Sequence, residues 1–425
     1  MLNNISLYRM LLLLVAASFT ITSCDKDEDD DDNTPQTETV VLSGAIGSDR
    51  ILSADTIYEL AGYVVVDSGA TLTINAGTII KAREGSGAAS SVLVIARGAK
   101  ILANGTASNP IVFTSVSDNI SVGQKFGTNL TKSNAGLWGG LIVLGNAKVS
   151  TTNGDTEGQI EGIPAEYTFG RYGGNNDADN SGSITYVSIR HSGTELVPDQ
   201  ELQGLTLAGV GSATVINHVE VFASSDDGIE IFGGAVNLND VVITYCQDDA
   251  LDLDQNYSGT VSNLLVIHEG ASGGNAGFEF DGPEGSTYNQ GLFTVQNGTV
   301  KSLNNGVGRA ATLKSAAQGT INNVVFIGFS KWINVEGGSA ITNFIGGDLK
   351  LTNCQLVASN LSGKIVPVKV DGTGTSTLSQ SDSLAVIAAF ELNTNSNTAV
   401  TTPTVGATQS AFATWTWTSN AALLD

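Results

Sequence analysis

The feature that most constrains this chain is a repeat of acidic, strand-like segments between Ser224 and Gly282. Three copies follow one another: SSDDGIEIFGG, QDDALDLDQN and NAGFEFDGP. Equivalent acids in the first two copies, Asp226 and Asp248, are 22 residues apart. A period of this size, built from strand-like pieces, is typical of a solenoid, in which each repeat packs mainly on its neighbours.

Within each copy, apolar and acidic residues alternate. Successive side chains of a strand point to opposite faces, so the apolar set is predicted to face the core. That set is Ile229, Ile231, Leu251, Leu253, Phe278 and Phe280. The outward residues then stack into two columns, Glu230, Asp252 and Glu279 in one, and Phe232, Asp254 and Asp281 in the other. The sequence therefore predicts two columns, largely acidic, on one face of the solenoid.

A second repeat consists of asparagines that open strand-like runs. They are Asn217, Asn239, Asn263, Asn297, Asn323 and Asn353. Stacked asparagines at one turn are typical of parallel β-helices, because each amide can bond its neighbour and the turn backbone. The alternative is that asparagine is simply common in turns. The agreement with the acidic columns favours a ladder.

These patterns predict an all-β protein that is a single-stranded, right-handed parallel β-helix with loop insertions. The chain has 50 glycines and 7 prolines, and no helical periodicity is evident after residue 24. Residues 116–136 and 151–183 break the period and are predicted loops. Trp415 and Trp417 are expected to cap the last coil, with an aromatic glycan-binding stripe as the alternative.

The first segment, residues 1–24, is predicted to be a targeting signal outside the fold. Arg9 precedes the apolar run MLLLLVAASFTI, which ends in ITSC. This ending resembles the lipobox of bacterial lipoproteins, which implies that Cys24 is lipidated and becomes the new N-terminus. The alternative is an ordinary secretory signal with a chance cysteine.

Residues 25–39 are predicted to form a disordered acidic linker, and residues 40–425 the β-helix domain with its C-terminal cap. The run after Cys24 also resembles the export signal of surface lipoproteins of the Bacteroidetes group. An outer-membrane protein, lipid-anchored and facing the cell exterior, is therefore expected; a plain spacer is the alternative. The net charge of −23 argues against nucleic acid as a partner.

Longer motifs carry a wider resemblance. GLWGGLIVLGNA, YGGNNDADNSGSITYVSIRHSG, HVEVFASSDDGIEIFGG and the final WTW resemble a family of right-handed parallel β-helix surface lipoproteins of the Bacteroidetes group. The resemblance spans about residues 40–420. It implies fold and location, and brings no settled activity with it.

An enzyme is the competing interpretation. SSDDGIEI is similar to the paired-aspartate motif of polygalacturonase-like glycosidases, which would match Asp226 and Asp227, although no Asn-Thr-Asp, Gly-His-Gly or Arg-Ile-Lys partner motif follows. Pectate-lyase-like enzymes share the fold and use acids to hold calcium with a Lys or Arg as base. By that resemblance the catalytic candidates are Asp252, Asp254, Glu279, Asp281, Lys314 and Arg309.

Two sets of residues are candidate calcium ligands, because hard cations prefer many oxygen ligands. One is the acidic face with Asp252, Asp254, Glu279 and Asp281; a fully solvated face is the alternative. The other is a turn with Asp177, Asp179 and Ser181, which mimics the opening of a calcium loop; an ordinary Asn/Asp turn is the alternative.

The missing partner motifs favour binding over catalysis. The predicted function is a surface lipoprotein whose β-helix binds an extracellular glycan or protein, with a calcium-dependent polysaccharide lyase or glycosidase as the alternative. Cys246 and Cys354 are predicted to be buried thiols about four coils apart. The three histidines are interpreted as surface or turn residues.

Overall fold

The computed structural model describes residues 38–152, 154, 156–197, 200–269, 276–286, 288–303, 308–371, 374–376, 379–392 and 395–424. The predicted signal segment, Cys24 and nearly all of the acidic linker lie outside these residues. Within them, the chain forms an all-β, parallel β-helix, as the repeat predicts.

Strands account for most of the regular structure and are numbered in chain order. The first group is β1 Glu38–Ile46, β2 Arg50–Leu52, β3 Thr56–Val66, β4 Thr71–Ile74, β5 Ile79–Ala82, β6 Val92–Ile95, β7 Lys100–Asn104, β8 Ile111–Ser115, β9 Leu141–Leu144, β10 Gly158–Gln159 and β11 Arg171–Tyr172. The second is β12 Gly182–Arg190, β13 Glu195–Val197, β14 Gln200–Glu201, β15 Leu205–Ala208, β16 Val215–Phe222, β17 Ile229–Phe232, β18 Asn237–Thr244, β19 Leu251–Asp254, β20 Thr260–His268 and β21 Ala276–Phe280. The third is β22 Phe293–Ser302, β23 Arg309–Leu313, β24 Gly319–Ile327, β25 Lys331–Glu336, β26 Leu349–Thr352, β27 Gln355–Val357, β28 Ile365–Asp371, β29 Gly374–Ser376 and β30 Thr398–Val400.

The strand pairings define three parallel sheets that run along the solenoid. Sheet A contains β6, β9, β15, β17, β19, β21, β23, β25 and β28. Sheets B and C share the long strands β12, β16, β18, β20, β22 and β24, whose first halves belong to sheet B and second halves to sheet C. The repeat of the sequence is therefore one turn around these sheets.

The core lies between the sheets and confirms the predicted strand register. Ile231, Leu253 and Phe280 are completely buried, and Ile231 pairs with Leu253, which pairs with Phe280. Phe278 and Phe280 stack with ring centroids 4.9 Å apart. A register shifted by one residue would place the acids inside, so the columns of sheet A follow from the apolar pattern.

A ladder of left-handed residues bends each long strand from sheet B into sheet C. Its members are Tyr186, His218, Asp240, Asn263, Asn297, Asn323 and Asn353, with φ between 51° and 57°. The prediction was right for the four asparagines from Asn263 onward. It was wrong for Asn217 and Asn239, which pair with each other one residue before the bend.

The ladder is held by side-chain hydrogen bonds between coils. Asn323 Nδ2 donates to Asn297 Oδ1 at 2.6 Å, and Asn263 Nδ2 donates to Asp240 Oδ1 at 2.5 Å. Asparagine and aspartate tolerate the left-handed region because their short polar side chains bond locally. Asp240 can therefore occupy the bend position that the strand register gives it.

Within the described residues, three α-helices interrupt the β structure, and the sequence did not predict them. They are α1 Gly338–Gly346, α2 Gln380–Phe390 and the short α3 Trp417–Asn420. Helix α1 buries Ile341 and Phe344, and α2 buries Val386 and Phe390, in the same core as the last strands of sheet A. Helices α1 and α2 therefore cover the C-terminal end of the solenoid.

The segment 404–424, here called the strap, crosses the outer side of sheet C from later coils back to earlier ones. Ala407 N–H donates to Thr299 Oγ1 at 2.9 Å, and Thr408 N–H donates to Asn263 Oδ1 at 2.6 Å. Trp415 is fully buried and lies in one cluster with Leu265.

The prediction that Trp415 and Trp417 pack on the last coil is therefore wrong. Trp417 packs beside Phe222, which also lies in the middle of the solenoid. Because both rings are buried against protein, they do not form an exposed aromatic stripe.

Cys246 and Cys354 are free and buried, as predicted. None of the helices within the described part of the chain is long and apolar enough to cross a membrane.

Candidate functional site

The acidic face is the outer surface of sheet A around β17, β19, β21 and β23. Glu230 pairs with Asp252, and Asp252 pairs with Glu279, so the first predicted column exists. Thr206 precedes it and Thr312 follows it on the neighbouring strands. Strand neighbours in a parallel sheet lie about 4.8 Å apart, which places three carboxyl groups in one row.

The second column lies beside the first. Phe232 pairs with Asp254 at the ends of β17 and β19. Asp281 follows β21 and donates its backbone N–H to the Leu253 carbonyl at 2.7 Å. Burial raises the pKa of the Asp254 carboxyl, and the neighbouring Asp281 carboxyl adds to this effect.

Paired aspartates lie in the turns that precede these strands, Asp226–Asp227 before β17 and Asp248–Asp249 before β19. Asp227 Oδ1 accepts the backbone N–H of Asp249 at 2.8 Å. Asp249 Oδ1 accepts the backbone N–H of Ala276 in the following coil. The second aspartate of each pair therefore ties its coil to the next one, which gives the repeated Asp-Asp sequence a structural role.

Burial raises the pKa of Glu230, Asp252 and Asp254 well above the usual range, and adjacent carboxylates add to the effect. Burial also raises the pKa of Asp226 to about 7, with Asp248 as the next cause, and of Asp249 to about 8. Clustered buried carboxylates resist ionising together. Near neutral pH this face must therefore hold protons or bind positive charge.

Lys314, one of the basic residues that the sequence analysis proposed as catalytic candidates, supplies positive charge to one end of the face. Its ammonium forms an ion pair with Glu279 and lies 3.9 Å from Asp281 Oδ2. Burial lowers the pKa of Lys314, but Asp281 and Glu279 outweigh burial and raise it. Burial raises the pKa of Asp281 to about 6 despite the opposing effect of Lys314. Lys314 thus remains protonated and is unsuited to act as a base.

Arg309, the other predicted basic candidate, does not join this group. It lies at the start of β23 and pairs with Ala276 and Lys331. It precedes Thr312, the neighbour of Glu279, by three residues, or about 10 Å along a strand. The structure therefore brings Lys314 to the carboxylates and leaves Arg309 apart.

Two groups of carboxylates have oxygens close enough to share an ion. Asp227, Glu230 and Asp252 form one, and Asp226, Asp227 and Asp248 form the other; within each, the oxygens lie within 4.8 Å of one another. Glu230 Oε2 and Asp252 Oδ1 are buried and have no hydrogen-bond partner among the described residues, and the same holds for Asp281 Oδ1. Such atoms are rare in native proteins and call for an explanation.

The second predicted calcium set lies in the turn before β12. Asp177 pairs with Lys148 through both its oxygens, to the backbone N–H at 3.1 Å and to the ammonium at 2.5 Å. Asp179 accepts from Asn146 Nδ2 at 3.0 Å and from Ser181 Oγ at 3.3 Å. These bonds suit an ordinary turn, and calcium binding by Asp177, Asp179 and Ser181 stays a prediction.

A cavity of about 560 Å³ lies beside the end of the second column. Gln255, directly after Asp254, lines it and accepts a hydrogen bond from Tyr172 at 3.1 Å. The remaining lining is mostly hydroxyl, amide and charged, and it includes Thr151, Thr152, Thr156, Glu157, Gln159 and Arg171. The predicted loop 151–183 supplies most of this cavity, so loop and acidic face form adjoining surfaces.

Sequence reasoning placed Glu230 in the right column without assigning it a ligand role, and it missed the cavity. The repeated Asp-Asp pairs at a spacing of 22 residues were a usable signal for the group of Asp226, Asp227 and Asp248. Nothing in the sequence indicated that Tyr172 would meet Gln255, because they lie 83 positions apart and contact through a loop.

Comparison with known proteins gives one family. The sequence model described as a pectate-lyase like beta helix domain matches residues 44–420. No curated protein sequence matches the chain. Among solved structures, the chain is similar to the pectin methylesterase from Aspergillus niger in its deglycosylated form, at 10% sequence identity and a TM-score of 0.30. That match covers 83% of this chain and 94% of the esterase, and at this score it carries no argument about function.

Proposed function

Because this chain belongs to the family of pectate-lyase-like β-helix domains, we propose that it is a cell-surface protein that binds an extracellular glycan without cleaving it. The observation that carries the proposal is that Lys314 is protonated and held in ion pairs. A lyase needs a basic group free to take a proton, and the lysine on this face is held by Glu279 and Asp281.

The cavity next to the acidic face is the proposed glycan site. Its volume of about 560 Å³ is within the ordinary range for small-ligand pockets, and its hydroxyl and amide groups suit sugar hydroxyls. Arg171 is exposed at its edge and is the lining group suited to a sugar carboxylate. The ligand class favoured by this lining is a hydroxyl-rich, partly anionic polysaccharide.

A glycosidase is the second candidate, and the Asp226–Asp248 pair favours it. Their oxygens lie within 4.8 Å, and the pKa of Asp226, raised to about 7 by burial and by Asp248, suits a general acid. Closely spaced carboxyl groups are the geometry of retaining glycosidases. The Asp227 carboxylate between them is engaged with the backbone of the next coil, which limits the space available to a sugar.

A polysaccharide panel tests the proposal. The purified protein is expected to bind at least one polysaccharide, measured by affinity electrophoresis, and to release no new reducing ends or unsaturated products. Arg171→Ala should weaken binding of an anionic polysaccharide about tenfold, as expected for one charge-assisted contact. The control Lys100→Ala removes an exposed charge from β7 and should leave binding unchanged. Release of new reducing ends would support the glycosidase instead. Equal binding by Arg171→Ala and Lys100→Ala would exclude the cavity as the glycan site.

We also propose that the mature protein begins at an acylated Cys24, which anchors it in the outer membrane facing the cell exterior. The lipobox-like ITSC and the acidic run that follows support this location. Cys24→Ala is expected to leave the membrane fraction or to accumulate as uncleaved precursor, measured by fractionation and radiolabelled palmitate. The control Asn33→Ala, in the linker that follows Cys24, should behave as wild type. Normal acylation of Cys24→Ala would refute the anchor.

A further inference from the structure

Charge is divided unevenly along the acidic face. At one end, Lys314 lies against Glu279 and Asp281. At the other end are Asp227, Glu230 and Asp252, and none of the ion pairs within the described residues reaches them. One end of the face therefore carries its own counter-charge and the other lacks one.

The uncompensated end is also the buried end. Asp227, Glu230 and Asp252 are 7%, 8% and 9% exposed. Asp227 uses Oδ1 to accept the Asp249 N–H, whereas Glu230 Oε2 and Asp252 Oδ1 have no hydrogen-bond partner. Buried carboxylate oxygens are normally paired with a donor or a cation, because water is excluded from them.

We propose that a divalent cation of the calcium class binds between Asp227, Glu230 and Asp252. Each offers an oxygen within 4.8 Å of the other two. Two oxygens bound to one calcium ion at about 2.4 Å lie at most about 4.8 Å apart, so the spacing fits calcium. Magnesium demands near-ideal octahedral geometry and gives up its waters reluctantly, which suits a buried cluster of carboxylates less well, and zinc prefers nitrogen and sulfur ligands.

Lys314 explains why the ion belongs at this end only. Its ammonium neutralises Glu279 and Asp281, which lie together one coil beyond Asp252 and two coils beyond Glu230, where the sequence had placed part of a calcium site. A second cation there would be repelled by the ammonium. Compared with the calcium ligands predicted from the sequence, the inferred set lies closer to β17. It keeps Asp252, omits Asp254, Glu279 and Asp281, and adds Asp227 and Glu230.

The proposed ion is structural and goes beyond glycan binding. Its ligands come from the turn before β17, from β17 itself and from β19, so it would join two successive coils. Because the ligands are more than nine-tenths buried, the ion lies below the surface and is poorly placed to bridge to a polysaccharide. The proposals of a cation site and of a glycan site can therefore be confirmed or refuted independently of each other.

The test is thermal unfolding of the intact protein after treatment with EDTA. Adding about 5 mM calcium chloride, above the dissociation constants typical of extracellular calcium modules, should raise the Tm by about 1–3 °C. Magnesium chloride at the same ionic strength should raise it less. Terbium luminescence, excited through nearby tyrosine, reports binding directly and does not depend on unfolding.

Matched variants locate the ion. Glu230→Gln and Asp252→Asn keep the side-chain shape and should each abolish the calcium-dependent rise and the terbium signal. Asp281→Asn, in the half neutralised by Lys314, should keep both. A wild-type protein that neither gains Tm nor binds terbium would overturn the proposal. So would loss of the calcium response in Asp281→Asn with retention in Glu230→Gln, because that result would move the ion to the other end.

Discussion

Glu220→Ala is expected to lower the free energy of unfolding by about 3–5 kcal/mol, the usual cost of leaving an opposite buried charge uncompensated. Both Glu220 oxygens are acceptors: Oε2 accepts from Ser188 Oγ at 2.5 Å and from the Trp417 N–H at 2.8 Å, and Oε1 accepts twice from Thr418 at 2.8 Å. The carboxylate thereby holds the strap at the start of α3.

Arg190 is the other reason for a large effect. It is fully buried, and its Nε donates to Ser188 Oγ at 2.7 Å, the same hydroxyl that donates to Glu220. Burial lowers the pKa of Arg190, and Glu220 is the principal group that opposes this. Without Glu220, a buried guanidinium and the orphaned N–H groups of the strap would remain.

Urea unfolding followed by tryptophan fluorescence measures the effect, since Trp415 and Trp417 lie in the strap. The exposed Glu166→Ala is the matched control and should change stability by less than about 0.5 kcal/mol. A loss below about 1 kcal/mol in Glu220→Ala would show that the strap is held by its apolar contacts alone.

The second large effect is an acid-dependent loss of stability from two buried histidines. Burial lowers the pKa of His191 to about 4, with Arg190 adding to it and the Asn134 carbonyl and Asp118 opposing it. Burial alone lowers the pKa of His268 to about 4, and neither of its ring nitrogens has a hydrogen-bond partner in the part of the chain that the structure describes. Both imidazoles are therefore neutral in the folded protein at physiological pH.

The direction of the pH effect on stability follows from the protonation of the histidines in the folded and unfolded states. Above about pH 6.5 both states are neutral, so the histidines impose no penalty. Below about pH 6.5 the histidines of the unfolded chain become protonated, whereas those of the folded protein stay neutral down to about pH 4. Because the unfolded state binds more protons between these two pH values, the free energy of unfolding falls as the pH falls through this window. The two residues together are expected to cost about 5 kcal/mol between pH 7.5 and pH 4.5.

The variant His191→Asn, His268→Gln isolates this effect, because asparagine suits the left-handed backbone at His191, where φ is 62°. The acidic face titrates equally in wild type and variant and cancels in the difference. Between pH 7.5 and pH 4.5, the free energy of unfolding of the variant should therefore rise by about 5 kcal/mol relative to that of the wild type. A difference independent of pH would mean that the two imidazoles are hydrated.

The core and the acidic columns of sheet A could be predicted because a strand alternates strictly, so one decision about Leu253 fixes Asp252 and Asp254 as well. The burial of the acids could not be predicted this way. Alternation tells which side a carboxylate is on, but the turns that cover Glu230 are set by contacts between coils.

The bend ladder shows a different limit. The physical requirement is a left-handed backbone, which asparagine meets well, but His218 and Asp240 meet it here too. A search for asparagine therefore chose Asn217 and Asn239, one residue early. Histidines read as surface groups from composition proved buried at 191 and 268, because their turns are covered.

The helices and the strap could not be placed from local pattern. Helix α2 does carry a start signal, since Ser379 Oγ accepts the Asp382 N–H at 3.1 Å. The strap carries no such signal for its destination, because the groups that receive Trp415 and Trp417 lie on strands far away in sequence.

The strap also sets an order of events in folding. Coils of a solenoid can form one after another as the chain emerges, since each needs only its neighbour. The contact between Trp417 and Glu220 instead spans 197 positions, and contacts of such separation form slowly. Val242, Leu265 and Ile267 therefore present an uncovered apolar stripe on every nascent or truncated chain, and the β-helix becomes safe from self-association only when the strap closes over them.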